Sequence, residues 1–252
     1  MAFINIKFMS EVLGRNTEIA VMIPQHSTNG QIGVVNGKSS GKFKTLVLLH
    51  GLSDDFSIWA RRTNIERYAT EHGIAVILPS GDRSFYTDMK HGDKFYTYIS
   101  QEVLDIAREF LPLSDRKEDT FIAGNSMGGY GALKIALKNP DRFCAAMGLS
   151  SVSDIINHMD NITPELKDNI FGETISDEED LFYLLKKAKK ETAPRIFMCV
   201  GKGDFLYEEN VRLSKAFFST DLDYTYIEDE GVHDWDFWDK YIRIALKWAL
   251  KK

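Results

Sequence analysis

The residues of this chain whose types and spacing could do chemistry centre on one pentapeptide, Gly124-Asn125-Ser126-Met127-Gly128. The pattern Gly-x-Ser-x-Gly sets a hydroxyl among neighbours that take up little room. Phe121-Ile122-Ala123 has strand character and runs straight into it, and Gly129-Tyr130-Gly131-Ala132-Leu133 opens a helix straight after. A nucleophile on so sharp a strand-to-helix turn needs small flanking residues, because its backbone is strained and its neighbours approach closely. The helix beyond it points unpaired N–H groups and partial positive charge at any developing anion. A Ser that merely caps a helix after a Gly-rich turn is the plainer reading. It does not account for strand, turn and helix falling together, so Ser126 is the expected nucleophile.

A serine hydroxyl is a weak nucleophile without a general base, and imidazole suits that work near neutral pH. Of six histidines, His158 and His233 follow Ser126. A catalytic serine on this kind of turn is followed in chain order by an acid and then a histidine. His233 stands between a strand at 223–228 and the closing helix, and is the expected base; His158 falls in an irregular stretch. The acid should accept the second imidazole N–H and fix the tautomer. Asp204, in Gly201-Lys202-Gly203-Asp204-Phe205, comes directly after an apolar strand at 195–200 and is the expected acid. Asp154, after the preceding strand, is its rival. Asp234 and Asp236 stand too close to His233 in sequence and read as helix-capping residues.

Attack on a carbonyl puts negative charge on its oxygen, and backbone N–H groups are the usual donors to it. His50-Gly51-Leu52 follows the apolar run Leu46-Val47-Leu48-Leu49. The expected oxyanion donors are the N–H groups of Leu52, on this loop, and Met127, after the nucleophile. His50 reads as a structural histidine bonding its own loop. Gly51, Phe85 and Tyr86 are the expected substrate-contacting residues, with core packing the competing reading for the two aromatics.

The elements that must position these groups alternate along the chain. Residues 3–13 and 17–24 read as strands, followed by turn signals at Asn29-Gly30 and Asn36-Gly37. Further strands are expected at 45–49, 75–78, 120–123, 144–149, 195–200 and 223–228. Helices are expected at 58–71, 97–110, 128–137, near 208–219 and at 236–250, the last with an apolar stripe most simply explained as core packing. Continuous apolar strands alternating with helices imply a mostly parallel central sheet with helices on both faces. Ligands then bind at the carboxyl ends of the strands, where all the candidate residues fall. Residues 152–193, after the sixth strand, break the rhythm with loops and helical pieces. They are too long for an ordinary loop, and are expected to cap the site and limit acyl length.

Composition narrows the class. At 252 residues, 44% hydrophobic and 27% charged, the chain suits one α/β domain over 1–252. Its net charge of -6 argues against nucleic acid as a partner. The basic run 186–190 follows an acidic run at 177–180, as on one solvated helix whose ends complement its dipole. No stretch approaches the roughly 18 apolar residues of a membrane span, and the start shows no signal-peptide core. Cys144 and Cys199 lie in apolar runs and suggest no disulfide framework. The expected location is the cytoplasm. No clustered His or Cys spacing points to a metal, and the sequence leaves self-association into a homo-oligomer open.

Together these residues resemble the esterase D family of α/β-hydrolases, in particular the bacterial tributyrin esterases. The matching elements run through the whole chain: His50-Gly51-Leu52-Ser53, Trp59, Arg62-Thr63-Asn64, Phe85-Tyr86-Thr87-Asp88, and Ser126-Met127-Gly128-Gly129-Tyr130-Gly131. Gly203-Asp204-Phe205-Leu206-Tyr207-Glu208, His233, Trp235 and Trp238 complete the set. Asn125 stands where several relatives carry His or Leu. The resemblance implies an α/β-hydrolase fold and carboxylesterase activity on small-molecule esters with short acyl groups, with no metal or organic cofactor. Relatives include S-formylglutathione hydrolases and feruloyl esterases, which are the alternative specificities. A hydrolase-fold binding protein without catalysis is the reading of a different class, and a full set of nucleophile, base and acid speaks against it.

Overall fold

The computed structural model describes residues 1–25, 32 and 41–251; the turn signals at Asn29-Gly30 and Asn36-Gly37 lie outside the described residues. Apolar runs without polar alternation become strands covered on both faces. These are β3 (Thr45–Leu49), β4 (Ala75–Pro79), β5 (Thr120–Asn125) and β6 (Ala145–Leu149), buried at every residue. β7 (Arg195–Gly201) is buried beyond its first residue, and β8 (Tyr224–Asp229) is partly covered. β1 (Ala2–Ser10) alternates half-buried and exposed residues, as an edge strand with one face in water does, and β2 (Arg15–Ile23) pairs antiparallel with it. The sheet order is β1-β2-β4-β3-β5-β6-β7-β8, parallel from β4 through β8. This is the α/β-hydrolase fold.

The helices are α1 (Ile58–Arg62), α2 (Ile65–His72), α3 (Phe95–Thr97), α4 (Val103–Phe110), α5 (Met127–Lys138), α6 (Ile155–His158), α7 (Pro164–Phe171), α8 (Leu181–Lys187), α9 (Tyr207–Phe218) and α10 (Trp235–Ala249). Side chains alternate across a strand with a period of two, so the sheet carries a core on each face. Val47, Leu49, Ile77 and Ile122 face α4, α5 and α9. Leu46, Leu48, Val76 and Phe121 face Trp59, α2 and α10. Because β3 lies between β4 and β5, the chain reverses direction across the sheet there. The crevice outside the carboxyl ends of such strands is where ligands bind.

Several elements differ from the sequence expectation for tertiary reasons. The helix expected over 58–71 is two helices, broken where Thr63 takes an extended backbone. Asp239 of α10 captures the Asn64 N–H at 2.7 Å and the Tyr68 hydroxyl at 2.9 Å, and so holds the second helix in its own direction. The helix expected from residue 97 begins as α3 at Phe95 and passes through a π-helical stretch, Tyr98–Glu102, before α4. The acidic and basic runs of the insert do not share one helix. Asp177–Glu179 forms a 3₁₀ turn, and Asp180 then caps α8 through the Phe182 N–H. Cys144 and Cys199 are free thiols, and no helix among the described residues is long and apolar enough to cross a membrane.

The β5–α5 junction is too tight for side chains. A Cβ on Gly124 would lie 2.4 Å from backbone atoms of Gly128, and one on Gly128 would lie 2.5 Å from the Leu49 carbonyl oxygen. Backbone cannot yield as a flexible side chain can. Gly128→Ala should therefore lower stability by about 1–3 kcal/mol, seen as a lower urea midpoint with an unchanged m-value.

Candidate active site

Ser126 is the residue between β5 and α5, and its backbone is left-handed at φ 55°. Such a conformation costs a non-glycine residue roughly 1–3 kcal/mol and persists only where the surroundings over-determine it. Here Ser126 N–H donates to Leu149 O at 2.9 Å, and Ser126 O accepts from Tyr130 N at 3.1 Å and Val152 N at 3.2 Å. The turn lifts the hydroxyl clear of the sheet and leaves it facing the loop that follows β8.

That loop carries His233, whose Nε2 lies 3.0 Å from Ser126 Oγ. Its Nδ1 lies 3.0 Å and 2.9 Å from the two carboxylate oxygens of Asp204. An ionised carboxylate only accepts, so Nδ1 carries the proton and Nε2 is left to accept from the serine hydroxyl. Asp204 sits in the turn after β7, and its side chain is wholly buried. It is held by Asp204 N–H to Gly201 O at 3.0 Å and by Leu206 N–H to its own Oδ1 at 2.8 Å. Gly203 N–H donates to Gly231 O at 2.9 Å, which ties the acid's loop to the histidine's. Three side chains far apart in sequence thus form one continuous hydrogen-bonded chain.

The other candidate acids do different work. Asp154 caps α6 through Asn157 N–H and pairs with Arg212 at 2.8 Å. Asp234 caps α10 through Phe237 N–H at 3.0 Å, and Asp236 is exposed in the first turn of that helix.

Among the described residues, the N–H groups of Leu52 and Met127 have no hydrogen-bond acceptor. The Gly51–Leu52 peptide is fixed from its other side. Gly51 O accepts from His50 Nδ1 at 2.7 Å and from Asp54 N–H at 3.2 Å. A peptide is planar and trans, so holding its carbonyl aims its N–H the opposite way. His50 Nε2 accepts from Gly81 N–H at 2.9 Å, which makes this ring a neutral bridge between two loops. Burial pushes its pKa below the ordinary value, consistent with that role.

Ser126, His233, Leu52 and Met127 line a cleft of about 570 Å³. Gly51 and Phe85 are in its wall, whereas Tyr86 lies behind it, fully buried, with its hydroxyl donating to His50 O at 2.9 Å. Tyr86 is therefore corrected from a pocket wall to a buried support. The 152–193 insert contributes Val152, His158, Asn161 and Ile162, of which the sequence reading named His158 alone, as the less favoured base. Phe205 packs against the His233 ring at a tilt of 48°, with centroids 4.4 Å apart, and Trp238 meets it edge-on at 4.8 Å. Trp238 reads in the sequence as part of a core stripe, and it is both core and cleft wall. Asn125 also lines the cleft; its amide is buried without a hydrogen-bond partner among the described residues.

A profile of the Esterase family matches residues 10–248. The chain belongs to that family, among the esterase D-like α/β-hydrolases. This esterase is 34% identical to an acetyl esterase of Caldicellulosiruptor saccharolyticus, across all of this chain and 99% of that protein. It superposes with a TM-score of 0.90 on substrate-bound FphF, a fluorophosphonate-binding serine hydrolase of Staphylococcus aureus, at 37% identity over 100% of this chain and 99% of that one. It also matches the S-formylglutathione hydrolase FrmB of Staphylococcus aureus, with a TM-score of 0.86 and 37% identity over 99% of both chains. A ferulic acid esterase at 20% identity and a TM-score of 0.80 shares the fold. The protein is a carboxylic ester hydrolase.

Burial of His50 carries a stability consequence for the esterase. Its folded pKa lies below the 6.5 of a free imidazole, so the unfolded chain takes up its proton more readily. Stability should fall as the pH drops through 6.5 toward the folded value, with His72 contributing in the same direction. In thermal melts between pH 7.5 and about 5, His50→Asn should show a shallower decline than the parent, whatever its absolute stability.

Proposed function

We propose that Ser126, His233 and Asp204 are the catalytic residues of a serine carboxylesterase that hydrolyses short-chain acyl esters through an acyl-enzyme. The unbroken chain from Ser126 Oγ through His233 to Asp204, each link within 3.0 Å, is the observation that carries this reading. Ser126 Oγ attacks the ester carbonyl while its proton passes to His233 Nε2. Asp204 holds the imidazole in the tautomer able to accept that proton, and stabilises the imidazolium that results. The N–H groups of Leu52 and Met127 bind the oxyanion. Collapse of the tetrahedral intermediate breaks the acyl–oxygen bond, and the imidazolium gives its proton to the departing alkoxide. Water then attacks the acyl-enzyme, losing a proton to Nε2, and Ser126 recovers that proton as the carboxylic acid leaves.

The likeness to FrmB favours a second reading, hydrolysis of S-formylglutathione. Apart from histidines, the charged side chains among the described residues lining the cleft are Asp54 and Asp234. Glutathione brings two carboxylates of its own, and like charges oppose one another at close range. A neutral oxygen ester suits this cleft better. The likeness to an acetyl esterase supports a small acyl group.

A fluorophosphonate probe should modify the parent protein at Ser126 and leave Ser126→Ala unlabelled; an active enzyme whose Ser126 peptide stays unmodified would contradict the assignment. Asp204→Asn should fold and still lose about 10⁴-fold in kcat, because an amide can present N–H to Nδ1 and select the wrong tautomer. Across p-nitrophenyl esters, kcat/KM should be greatest for acetate to butanoate and fall toward octanoate. S-Formylglutathione should be a poorer substrate than a neutral formyl thioester, and the reverse order would favour the thioesterase reading.

A further inference from the structure

The side chain of Lys134 is fully buried on α5, about two turns beyond Ser126, and the chemistry proposed above has no use for it. Taking an ammonium out of water is costly, and a buried ion pair is often no more stabilising than apolar side chains of the same shape. What the group holds in place is therefore the informative question. Lys134 Nζ donates to Phe85 O at 3.2 Å, to Thr87 Oγ1 at 2.8 Å, and to the carboxylate of Glu179. Glu179 belongs to the 3₁₀ turn of the insert. It also accepts from Thr87 Oγ1 at 3.1 Å, and its backbone carbonyl accepts from the Tyr130 hydroxyl at 2.7 Å. One cation thus joins the helix behind the nucleophile, the loop after β4 and the insert.

The segment it holds is strained. Phe85 and Tyr86 are consecutive non-glycine residues in the left-handed region, at φ 50° and 52°. Both conformations are disfavoured for residues with a Cβ, so the pair relaxes toward ordinary backbone unless held. The Phe85 ring lies in the cleft wall, with Tyr130 at 6.2 Å behind it and His158 at 6.1 Å beside it. His158 Nδ1 is in turn backed by Glu209 at 3.7 Å.

The two ends of the cleft can be told apart. His233 must hand its proton to the leaving oxygen, so the alcohol departs beside Nε2, where Phe205 and Trp238 pack. Under the same reading the acyl group takes the remainder of the cleft, walled in part by Phe85, Val152 and His158. We propose that Lys134 is a positioning residue that, paired with Glu179, locks the Phe85 wall and so sets how long an acyl chain the esterase accepts. This rests on the reading of Ser126, His233 and Asp204 as the catalytic groups.

The test is a double-mutant cycle with Lys134→Met and Phe85→Ala, read as the ratio of kcat/KM for p-nitrophenyl octanoate to that for the acetate. One extra methylene in a pocket is worth about 10-fold or more, so each single variant should raise the ratio at least about tenfold, chiefly through a lower KM for octanoate. The double variant should move it no further than Phe85→Ala alone, because both act through the same ring. Glu179→Gln, which keeps the shape of the partner, is the milder arm and should shift the ratio in the same direction. A merely structural lysine would lower the melting temperature and leave the ratio where it was. An unchanged ratio in folded Lys134→Met or Glu179→Gln, or additive effects in the cycle, would overturn the proposal while acetate turnover left the catalytic assignment standing. A parent enzyme that hydrolysed neither ester would overturn both.

Discussion

The left-handed backbone at Ser126 is the constraint on which the rest of the site depends. A serine at φ 55° survives because its own peptide groups are bonded to the loop ends of β6 and to α5. Those bonds hold β5, β6 and α5 close together, and glycine at 124 lets β5 and α5 meet backbone to backbone while glycine at 128 lets α5 approach the end of β3. The sheet supplies that rigidity. Parallel strands buried on both faces cannot shift without disturbing two cores, so strain at one strand end is carried by the whole layer.

A second strained site mirrors the first. Phe85 and Tyr86 follow β4 as Ser126 follows β5, and both segments turn away from the sheet at the same edge. The second site is tied through His50 to the Gly51–Leu52 loop: the His50 carbonyl accepts from the Tyr86 hydroxyl, and its ring bridges Gly51 and Gly81. The loop expected to hold the oxyanion is therefore braced by the loop that walls the cleft. Displacement of either would be felt by the other, which ties substrate fit to the orientation of the Leu52 N–H.

Much of this was legible in the sequence because it is local. The strand–turn–helix around Ser126, the apolar runs before Gly51 and Asp204, and the turn before α10 are each readable within ten or so residues. The sheet, its helices on both faces and the insert after β6 follow from the same runs. What was not legible comes from distance. Lys134 looks like any polar residue on a helix, and its burial depends on Glu179, 45 residues further on. The break between α1 and α2 is imposed by Asp239, 175 residues from Asn64. His158 and Asn161 reach the cleft on an insert whose helices lack the length for a clear periodic signal. Tyr86 was ambiguous because an aromatic beside a site serves equally well as wall or as support.

The electrostatics of the cleft follow from the same geometry. Among the described residues the Leu52 and Met127 N–H groups have no protein acceptor, and both residues line the cleft. Under the proposed mechanism they gain a full anionic partner when the carbonyl oxygen becomes an oxyanion, so their interaction is stronger with the transition state than with the substrate. The imidazolium formed in the same step faces the wholly buried carboxylate of Asp204. In that mechanism both charges of the transition state meet partners already in place. A permanent lysine or arginine beside the carbonyl would attract anions before any bond had formed, whereas paired backbone dipoles respond to charge as it develops. Under the proposed mechanism that distinction makes the position of the Gly51–Leu52 peptide, braced by the neutral His50 ring, matter more than added positive charge.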